Sequence, residues 1–405
     1  MKRWVSLGLL WFTPVVLAAE PARVDRTLTE LDSPAGPGSA QPNLASRNGT
    51  VYLTWIEPAG GGQKALRISR WSEGWSPPRT IVSSGSLLAN WADFPSLLPL
   101  EDGSLVAHWL QKIGRGAHEY DVLVARSTDG GESWSMVGRP HRDQTLNQHG
   151  FVSLVDQGGG RFAAVWLDGR GSAHELVGDP FPQDEILLMF AEFENGAFQP
   201  EVILDPLVCD CCQTAAARVG SELFVAYRDR SAAEVRDIAY VRSENGRWTD
   251  PGVLYPDGWR IPACPVNGPA VSVAGQRLAV AWFSGGGERS LVQVIFSENG
   301  GRTFGAPVRV DEGKPAGRVD IEWMEDGSVL VLWLEHTRRK KAETRARRLL
   351  ADGTMEPSFV VAPSSGTRSS GFPRMARQGN GAFVAWTDPG PPSRVRLARL
   401  AHPED

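Results

Sequence analysis

A strand–turn–strand unit that ends in an aromatic residue recurs seven times along this chain of 405 residues. The aromatic residues stand 51 to 61 positions apart, and they are Trp55, Trp109, Trp166, Tyr227, Trp282, Trp333 and Trp386. Each copy continues with further short apolar segments, in which apolar and polar residues alternate as they do in half-buried strands. A unit of four antiparallel strands repeated at such an interval is typical of the blades of a β-propeller.

The repeat predicts an all-β fold, a β-propeller with seven four-stranded antiparallel blades; six blades and one irregular copy are the alternative. Long helices are excluded, because 44 glycines and 29 prolines interrupt the chain too often. The last copy contains three strands, and the segment 24–31 before the first copy is free to supply the fourth. We therefore predict a single domain over residues 20–405, closed by pairing of its N- and C-terminal strands.

Residues 1–19 are predicted to be a signal peptide. Lys2 and Arg3 precede an apolar stretch over residues 5–17, and Ala18 and Ala19 supply small residues for cleavage. No later segment offers the ~18 consecutive apolar residues that a membrane-spanning helix requires. We therefore expect a periplasmic or secreted protein without a membrane span. The net charge of −5 argues against nucleic acid as a partner, because phosphates require a basic surface.

Two turns between predicted third and fourth strands carry a shared motif. The first is Ser-Thr-Asp-Gly-Gly-Glu-Ser-Trp over residues 127–134, which matches the Asp-box pattern S-x-D-x-G-x-[ST]-[WF]. The second is Ser-Glu-Asn-Gly-Gly-Arg-Thr-Phe over residues 297–304. Because these motifs are in register with the sevenfold repeat, the chain resembles the sialidase or neuraminidase superfamily, whose propellers contain this box in their BNR repeats.

This resemblance implies an exo-sialidase-type glycoside hydrolase, or a glycan-binding protein, that works at the end of the propeller axis without a required cofactor. It implies a monomer whose partner is a glycan or another small acidic ligand. Sialidases hold the substrate carboxylate with three arginines and use a tyrosine nucleophile and an aspartate acid/base. Candidate catalytic residues are Asp93, Asp168, Asp229 and Tyr227. Candidate substrate-binding residues are Arg170, Arg228, Arg260, Arg318 and His149.

Each of these candidates also has a structural interpretation. Tyr227 occupies the position at which the other copies have tryptophan, so a place in the core between blades is the alternative. Arg260 belongs to a Trp-Arg-Ile-Pro segment, residues 259–262, that is similar to a family motif but leads into the fifth copy rather than the first. Solvated charge at the rim of the propeller is the alternative for the other charged candidates.

All four cysteines lead into neighbouring copies of the repeat. Cys209, Cys211 and Cys212 precede the fourth copy and Cys264 precedes the fifth, so the register of the repeat places them on adjacent loops of one face. An even number of cysteines in an exported protein favours two disulfides. A copper or zinc site, with His149 on the same face, is the alternative. The corresponding second function is a non-catalytic propeller that binds a partner or a metal.

Overall fold

Thirty strands form seven antiparallel sheets in the computed structural model, which describes residue 1 and residues 27–171, 185–337 and 341–401. The all-β prediction is confirmed, and the number of blades is seven rather than six. Residues 2–19 of the predicted signal peptide lie outside the described residues. Within the described ranges, helical structure is limited to two 3₁₀ turns, Gly169–Gly171 and Arg368–Ser370, and no helix is long and apolar enough to cross a membrane.

The blades follow one another along the chain. Blade 1 contains β2 (Ala40–Arg47), β3 (Thr50–Gly60), β4 (Gln63–Trp71) and β5 (Arg79–Ser84). Blade 2 contains β6 (Ser96–Pro99), β7 (Leu105–Lys112), β8 (Tyr120–Ser127) and β9 (Ser135–Gly138). Blade 3 contains β10 (His149–Gly158), β11 (Arg161–Asp168), β12 (Leu187–Glu194), β13 (Ala197–Phe198) and β14 (Val202–Asp205). Blade 4 contains β15 (Ala215–Val219), β16 (Glu222–Arg228), β17 (Ile238–Glu244), β18 (Arg247–Trp248) and β19 (Gly252–Val253).

The remaining three blades include the two ends of the described chain. Blade 5 contains β20 (Ala270–Ala274), β21 (Arg277–Ser284), β22 (Leu291–Ser297) and β23 (Val308–Arg309). Blade 6 contains β24 (Pro315–Trp323), β25 (Val329–His336), β26 (Lys341–Leu349) and β27 (Phe359–Ser365). Blade 7 contains β28 (Arg374–Gln378), β29 (Gly381–Asp388), β30 (Arg394–Ala401) and β1 (Thr27–Leu31).

The first strands of the blades form a closed ring around one axis. Strands β2, β6, β10, β15, β20, β24 and β28 contact one another in that order, and β28 returns to β2. In blade 7 the outermost strand comes from the other end of the chain, because β1 pairs with β30 from Thr27 opposite Ala401 to Leu31 opposite Leu397. Pairing the two ends in one sheet removes the open edge that a linear chain would otherwise leave.

The recurring aromatic residue lies in the core between blades. Trp55, Trp166, Trp282 and Trp333 are completely buried, and Tyr227 is 1% exposed at the equivalent position of blade 4. Each stands near the end of the second strand of its blade and packs with apolar side chains of an adjoining sheet. A large aromatic side chain buries far more apolar area than an aliphatic one, so the repeat stabilises every contact between neighbouring blades.

The turn between β8 and β9 is held by its own side chains. The Asp129 carboxylate accepts hydrogen bonds from the amide and the hydroxyl of Ser133, and the Ser127 hydroxyl accepts one from the Gly131 amide. Gly131 has a φ of 90°, a value that favours glycine. Because this turn joins the third strand to the fourth, it lies on the face opposite the loops that lead into the first strands.

Candidate functional site

One face of the propeller carries the loops that lead into the first strand of each blade and those that leave the second strand. We call it the loop face. All the candidate residues selected from the sequence lie on it or just beneath it, at the ends of these strands. The structure places them in a cavity on the axis, a carboxylate–imidazole network, buried contacts between blades and a group of thiols, with Arg260 exposed outside all four.

The cavity lies on the propeller axis and has a volume of about 200 Å³. Residues from every blade line it, including Asn43, Asp93, Phe151, Thr214, Ala270, Asp320 and Arg374. The loop before β6 closes one side, because Gln213 of blade 4 donates to the carbonyl of Ala92 and the guanidinium of Arg318 of blade 6 lies 4.8 Å from the Trp91 ring centroid. This loop therefore crosses the axis instead of following the rim of its own blade.

Asp93 is a carboxylic acid buried in the wall of this cavity. Its carboxylate accepts a hydrogen bond from the Phe151 amide at 2.7 Å and one from the Tyr120 hydroxyl at 3.3 Å, and the residue is 1% exposed. Burial raises the pKa of Asp93 to about 7, although both hydrogen bonds favour the charged form. At neutral pH the side chain can therefore both hold and release a proton.

A second carboxylate in the cavity wall comes from blade 6. Asp320 accepts hydrogen bonds from the amides of Ile321 and Met375, and its Oδ2 lies 3.5 Å from Nε of Arg374. Burial raises its pKa, whereas the charge of Arg374 lowers it. Glu322 follows two positions later on the same face of β24, and burial together with the Asp320 charge raises its pKa to about 7. The axis thus holds carboxyl groups poised near neutrality.

Two other candidates, Asp168 and Arg170, belong to a network between blades 2 and 3. Arg170 binds Asp168 through two hydrogen bonds of 2.8 and 2.7 Å and binds Glu201 through a third of 2.6 Å. Asp168 is completely buried and also accepts the indole N–H of Trp166 at 2.7 Å. These contacts fill the fork of the guanidinium, so it serves the fold here rather than an incoming carboxylate.

The contact between Trp166 and Asp168 is itself repeated in the chain. Trp55 donates to Glu57 and Trp333 donates to Glu335, each at 2.7 Å and each with the acid two positions after the tryptophan. In these three blades the spacing W-x-[DE] pairs a buried indole with an acid at or near the end of the same strand. The contact with Trp166 gives Asp168 a structural role in the blade.

His149, selected as a substrate-binding residue, is buried in the same network and stacks on a second imidazole. The rings of His141 and His149 lie 3.7 Å apart at an angle of 5°, and both side chains have no exposed surface. Oδ1 of Asp121 lies 3.5 Å from His141 and 3.4 Å from His149, while Asp143 lies 3.3 and 3.0 Å from their other nitrogens. Burial alone would lower the pKa of His149, but these carboxylates raise it to about 9.

Hydrogen bonding in this stacked pair is incomplete. Within the described ranges, neither ring nitrogen of His141 has a partner in hydrogen-bonding geometry, and neither does Nδ1 of His149. Most buried polar atoms in native proteins do have such a partner. The directed hydrogen bonds of the pair are those between Nε2 of His149 and the Asp143 carboxylate, at 3.0 and 3.2 Å, and the remaining ring nitrogens are held by the charge of the surrounding carboxylates.

Tyr227 is buried within β16, whereas Asp229 is the first residue after that strand. The Tyr227 hydroxyl donates to Asp205 at 2.6 Å inside the core, and burial and the Asp205 charge raise its pKa above its ordinary value. Asp229 stands where other blades have the acid of the W-x-[DE] pair but has no indole before it. Burial, followed by the Asp205 charge, raises the pKa of Asp229 to about 6.

Two of the candidate arginines are buried between blades and hold backbone carbonyls. Arg228 is 1% exposed and donates to the carbonyls of Asn267, Arg236 and Phe283 at 2.6 to 2.8 Å. Arg318 donates to the Ser370 hydroxyl and to the carbonyls of Gly371 and Thr367. Burial lowers the pKa of Arg318 to about 10.

Arg260 is exposed, and its backbone pairs with Val235. The four candidate arginines thus have different surroundings, and the guanidinium groups of Arg170, Arg228 and Arg318 are bonded to protein groups. Among the arginines of the described ranges, Arg374 lines the axial cavity and none of the four candidates does.

The four cysteines meet on the loop face, as the register of the repeat predicts. Sγ of Cys209 lies 3.2 Å from that of Cys212 and 3.8 Å from that of Cys211. Cys264 lies beside Asp210, with its Sγ 3.4 Å from Oδ2, and all four thiols are free in the structure. Burial opposes ionisation of Cys209, but hydrogen bonds from the neighbouring thiols and the charge of Arg236 lower its pKa. Burial raises the pKa of Cys212.

The sequence did not single out several residues of these sites. Tyr120 begins β8 and His141 lies in the loop before β10, and neither belongs to a motif. Asp320 and Arg374 lie where the repeat places the entry to blades 6 and 7, but nothing in the sequence distinguished them from the other charged residues of the rim.

Comparisons with known proteins show the fold. No protein-family model and no curated protein matches the chain. Among solved structures, a Penicillium chrysogenum alpha-L-arabinanase complexed with arabinobiose is 13% identical over 92% of this chain and 97% of its own, with a TM-score of 0.51. A Dyadobacter fermentans protein of unknown function is 17% identical over 90% of this chain and 95% of its own, with a TM-score of 0.49. The Hadza microbial sialidase Hz136 is 15% identical over 87% of this chain and 76% of its own, with a TM-score of 0.48. The chain therefore has the propeller fold that its resemblance to sialidases predicted.

Proposed function

We propose that this protein hydrolyses glycans at the axial cavity, with Asp93 as the general acid. The supporting observation is the environment of Asp93, a carboxyl group with a pKa of about 7 in the wall of a polar cavity. Such a group is protonated often enough near neutral pH to donate to a glycosidic oxygen. Its contact with the Tyr120 hydroxyl keeps it oriented toward one side of the cavity.

The second carboxylate that glycoside hydrolysis requires is supplied by Asp320. Retaining and inverting glycosidases both use two carboxyl groups that flank the scissile bond, one as the acid and one as the base or nucleophile. Arg374, whose Nε lies 3.5 Å from Oδ2 of Asp320, favours the ionised form of this carboxyl, although burial raises its pKa overall. We assign Asp320 the role of base or nucleophile because of this neighbouring positive charge.

The size of the cavity bears on the substrate. At about 200 Å³ it is smaller than the ~300–1,000 Å³ of pockets that hold drug-sized ligands, so it suits one sugar residue at the end of a chain. We propose a terminal sialic acid, because the sequence resembles sialidases and Arg374 can meet its carboxylate. Arabinose is the alternative, because the arabinanase bound to arabinobiose shares the fold. We further propose that the protein is exported by its N-terminal signal sequence.

Turnover of fluorogenic sialosides and α-L-arabinofuranosides tests this function. We expect Asp93→Asn to lower kcat at least about 100-fold, because the proton donor is lost. Asp388→Asn is the matched control, since this carboxyl lies on the same face but is exposed and outside the cavity. The activity of the wild type should fall as pH rises through about 7, where Asp93 loses its proton. Absence of turnover with both substrate classes, or full activity of Asp93→Asn, would refute the proposal.

A further inference from the structure

The thiols of the loop face have the arrangement of a metal-ligand set. Cys209, Cys211 and Cys212 come from one short loop, residues 206–214, and their three sulfur atoms lie within 4.8 Å of one another. Metal–sulfur bonds of about 2.3 Å place coordinated thiolates roughly 3.8–4.0 Å apart. The 3.8 Å contact between Cys209 and Cys211 already has this separation, and the 3.2 Å contact with Cys212 requires only a small side-chain adjustment.

Two buried arginines lie beside these sulfur atoms. Nη1 of Arg236 donates to Sγ of Cys209 at 3.3 Å, and the positive charge of Arg228 acts on Cys212. Both guanidinium groups are almost completely buried, so their charge is weakly screened. The thiolate is the form of cysteine that binds metals, and here the fold supplies the positive charge that supports it.

The number and the softness of the available ligands distinguish among metals. The Arg236 guanidinium also pairs with Glu234 and Asp210, so the ion is selected by its ligands rather than by the net charge. A zinc ion would need a fourth ligand, but Cys264 is held beside Asp210 and shares a 4.8 Å group with Cys211 rather than with the buried pair. Soft thiolate ligands select Cu(I) as well as zinc, and Cu(I) accepts three ligands.

We propose that Cys209, Cys211 and Cys212 form a three-coordinate site for a soft monovalent cation, Cu(I), on the loop face beside the propeller axis. Cys264 is the exposed thiol of the group and lies next to Cys211. It is therefore placed to pass the ion from solvent to the buried ligands. Binding releases the remaining thiol protons, so no oxidant or reductant is consumed.

The site lies near the cavity but uses different residues. Gln148 donates to the carbonyl of Asp210 and Gln213 donates to the carbonyl of Ala92, so the cysteine loop packs directly against the loops around the axis. None of the three sulfur ligands lines the cavity as the structure describes it. Copper binding and glycoside turnover can therefore be measured separately, and the failure of one does not imply the failure of the other.

Anaerobic titration of the reduced full-length protein with Cu(I), in competition with a chromophoric Cu(I) chelator, tests the site. We expect one equivalent bound per chain, and at least about 100-fold weaker binding in Cys211→Ser and Cys212→Ser. Cys264→Ser is the matched control and should keep the affinity while loading more slowly. Because Cys211 is only half-buried, its variant should fold even if Cys212→Ser does not.

Four outcomes would overturn this assignment. The first is no retention of Cu(I) by the wild type. The second is tighter binding of Zn²⁺ than of Cu(I) in the same competition. The third is a non-reduced mass for the isolated protein that is lower by about 2 Da for each bond, which would show that the cysteines form the two disulfides favoured on sequence grounds. Binding of one Cu(I) that survives in Cys211→Ser would equally contradict the ligand set.

Discussion

Two sets of buried polar side chains near the loop face, Arg228 and the His141–His149 pair, are held by different kinds of contact. Between blades 4 and 5, the guanidinium of Arg228 finds three backbone carbonyls within 2.8 Å. Between blades 2 and 3, the stacked His141 and His149 face carboxylates at 3.0 to 3.7 Å and leave three ring nitrogens without a hydrogen bond. Both regions contain charged residues that look equally functional in the sequence.

The two sets of side chains differ in how far the fold satisfies their capacity for hydrogen bonds. A guanidinium that is 1% exposed and donates to three backbone carbonyls is engaged by the fold, and its removal leaves those carbonyls unpaired. A side chain held mainly by the charge of neighbouring carboxylates contributes stability that depends on its own protonation, so its removal changes how stability depends on pH. Satisfaction of hydrogen bonds therefore separates structural from responsive residues better than residue type does. Four predictions test this separation.

The largest effect is expected for Arg228→Met. Three buried carbonyls lose their donor at once, so the free energy of unfolding should fall by about 5 kcal/mol, equally at pH 5 and pH 8. Denaturant-induced unfolding measures it. Arg260→Met is the matched control, and its effect should remain within about 0.5 kcal/mol because Arg260 is exposed. A loss below about 1 kcal/mol for Arg228→Met would show that its contacts with the three carbonyls do not stabilise the fold.

The next effect concerns pH and His149. Its folded pKa of about 9 lies above the ordinary value of 6.5, so its stabilising contribution is complete below pH 6.5 and is lost as pH rises through about 9. We expect the wild type to lose about 3 kcal/mol of stability over this interval and His149→Gln to lose much less. The exposed His336→Gln should behave as the wild type does. Identical pH profiles for His149→Gln and wild type would show that the carboxylates around His149 do not hold its charge.

A smaller effect is expected for Tyr227→Phe. One buried hydrogen bond to Asp205 disappears while the ring stays in the core, so unfolding should become easier by about 1 kcal/mol. Thermal unfolding and glycoside turnover are measured together on the same preparation. Unchanged kcat is expected, because the hydroxyl lies between blades. A loss of kcat greater than about tenfold would instead support Tyr227 as the nucleophile that the sialidase resemblance suggests.

The smallest effect is expected for Asp129→Ala on the opposite face. Its carboxylate organises an exposed turn, so the melting temperature should fall less than in Tyr227→Phe, with no change in turnover or copper binding. Asn299 holds the equivalent turn of blade 5 with the same contact to an amide four positions later. Exchanging Asp129 for Asn should therefore be tolerated better than exchange for Ala. Equal destabilisation by both variants would show that the contact itself contributes nothing.

Much of the fold was predictable because its determinants are local. Three signals depend only on residues a few positions apart: the recurring aromatic residue, the alternation within strands and the glycine-containing turns. The seven copies of the repeat contain them again and again. The convergence of Cys209 and Cys264 was also predictable, because equivalent positions of adjacent blades lie on one face. The spacing of a tryptophan and an acid two positions later is visible in the sequence, but it includes Trp91 and Asp93 as well as Trp166 and Asp168, so only the structure shows which pairs are bonded.

The amino-acid sequence by itself determined the seven blades, the buried aromatic positions and the face on which polar loops gather. Only the tertiary structure decided which partner each polar group contacts. Arg228 donates to the carbonyl of Phe283, Asp93 accepts a hydrogen bond from the amide of Phe151, and Arg236 donates to the Cys209 thiol. The physical reason is that burial and hydrogen bonding at these positions depend on partners from neighbouring blades. Those partners become neighbours only when the ring closes.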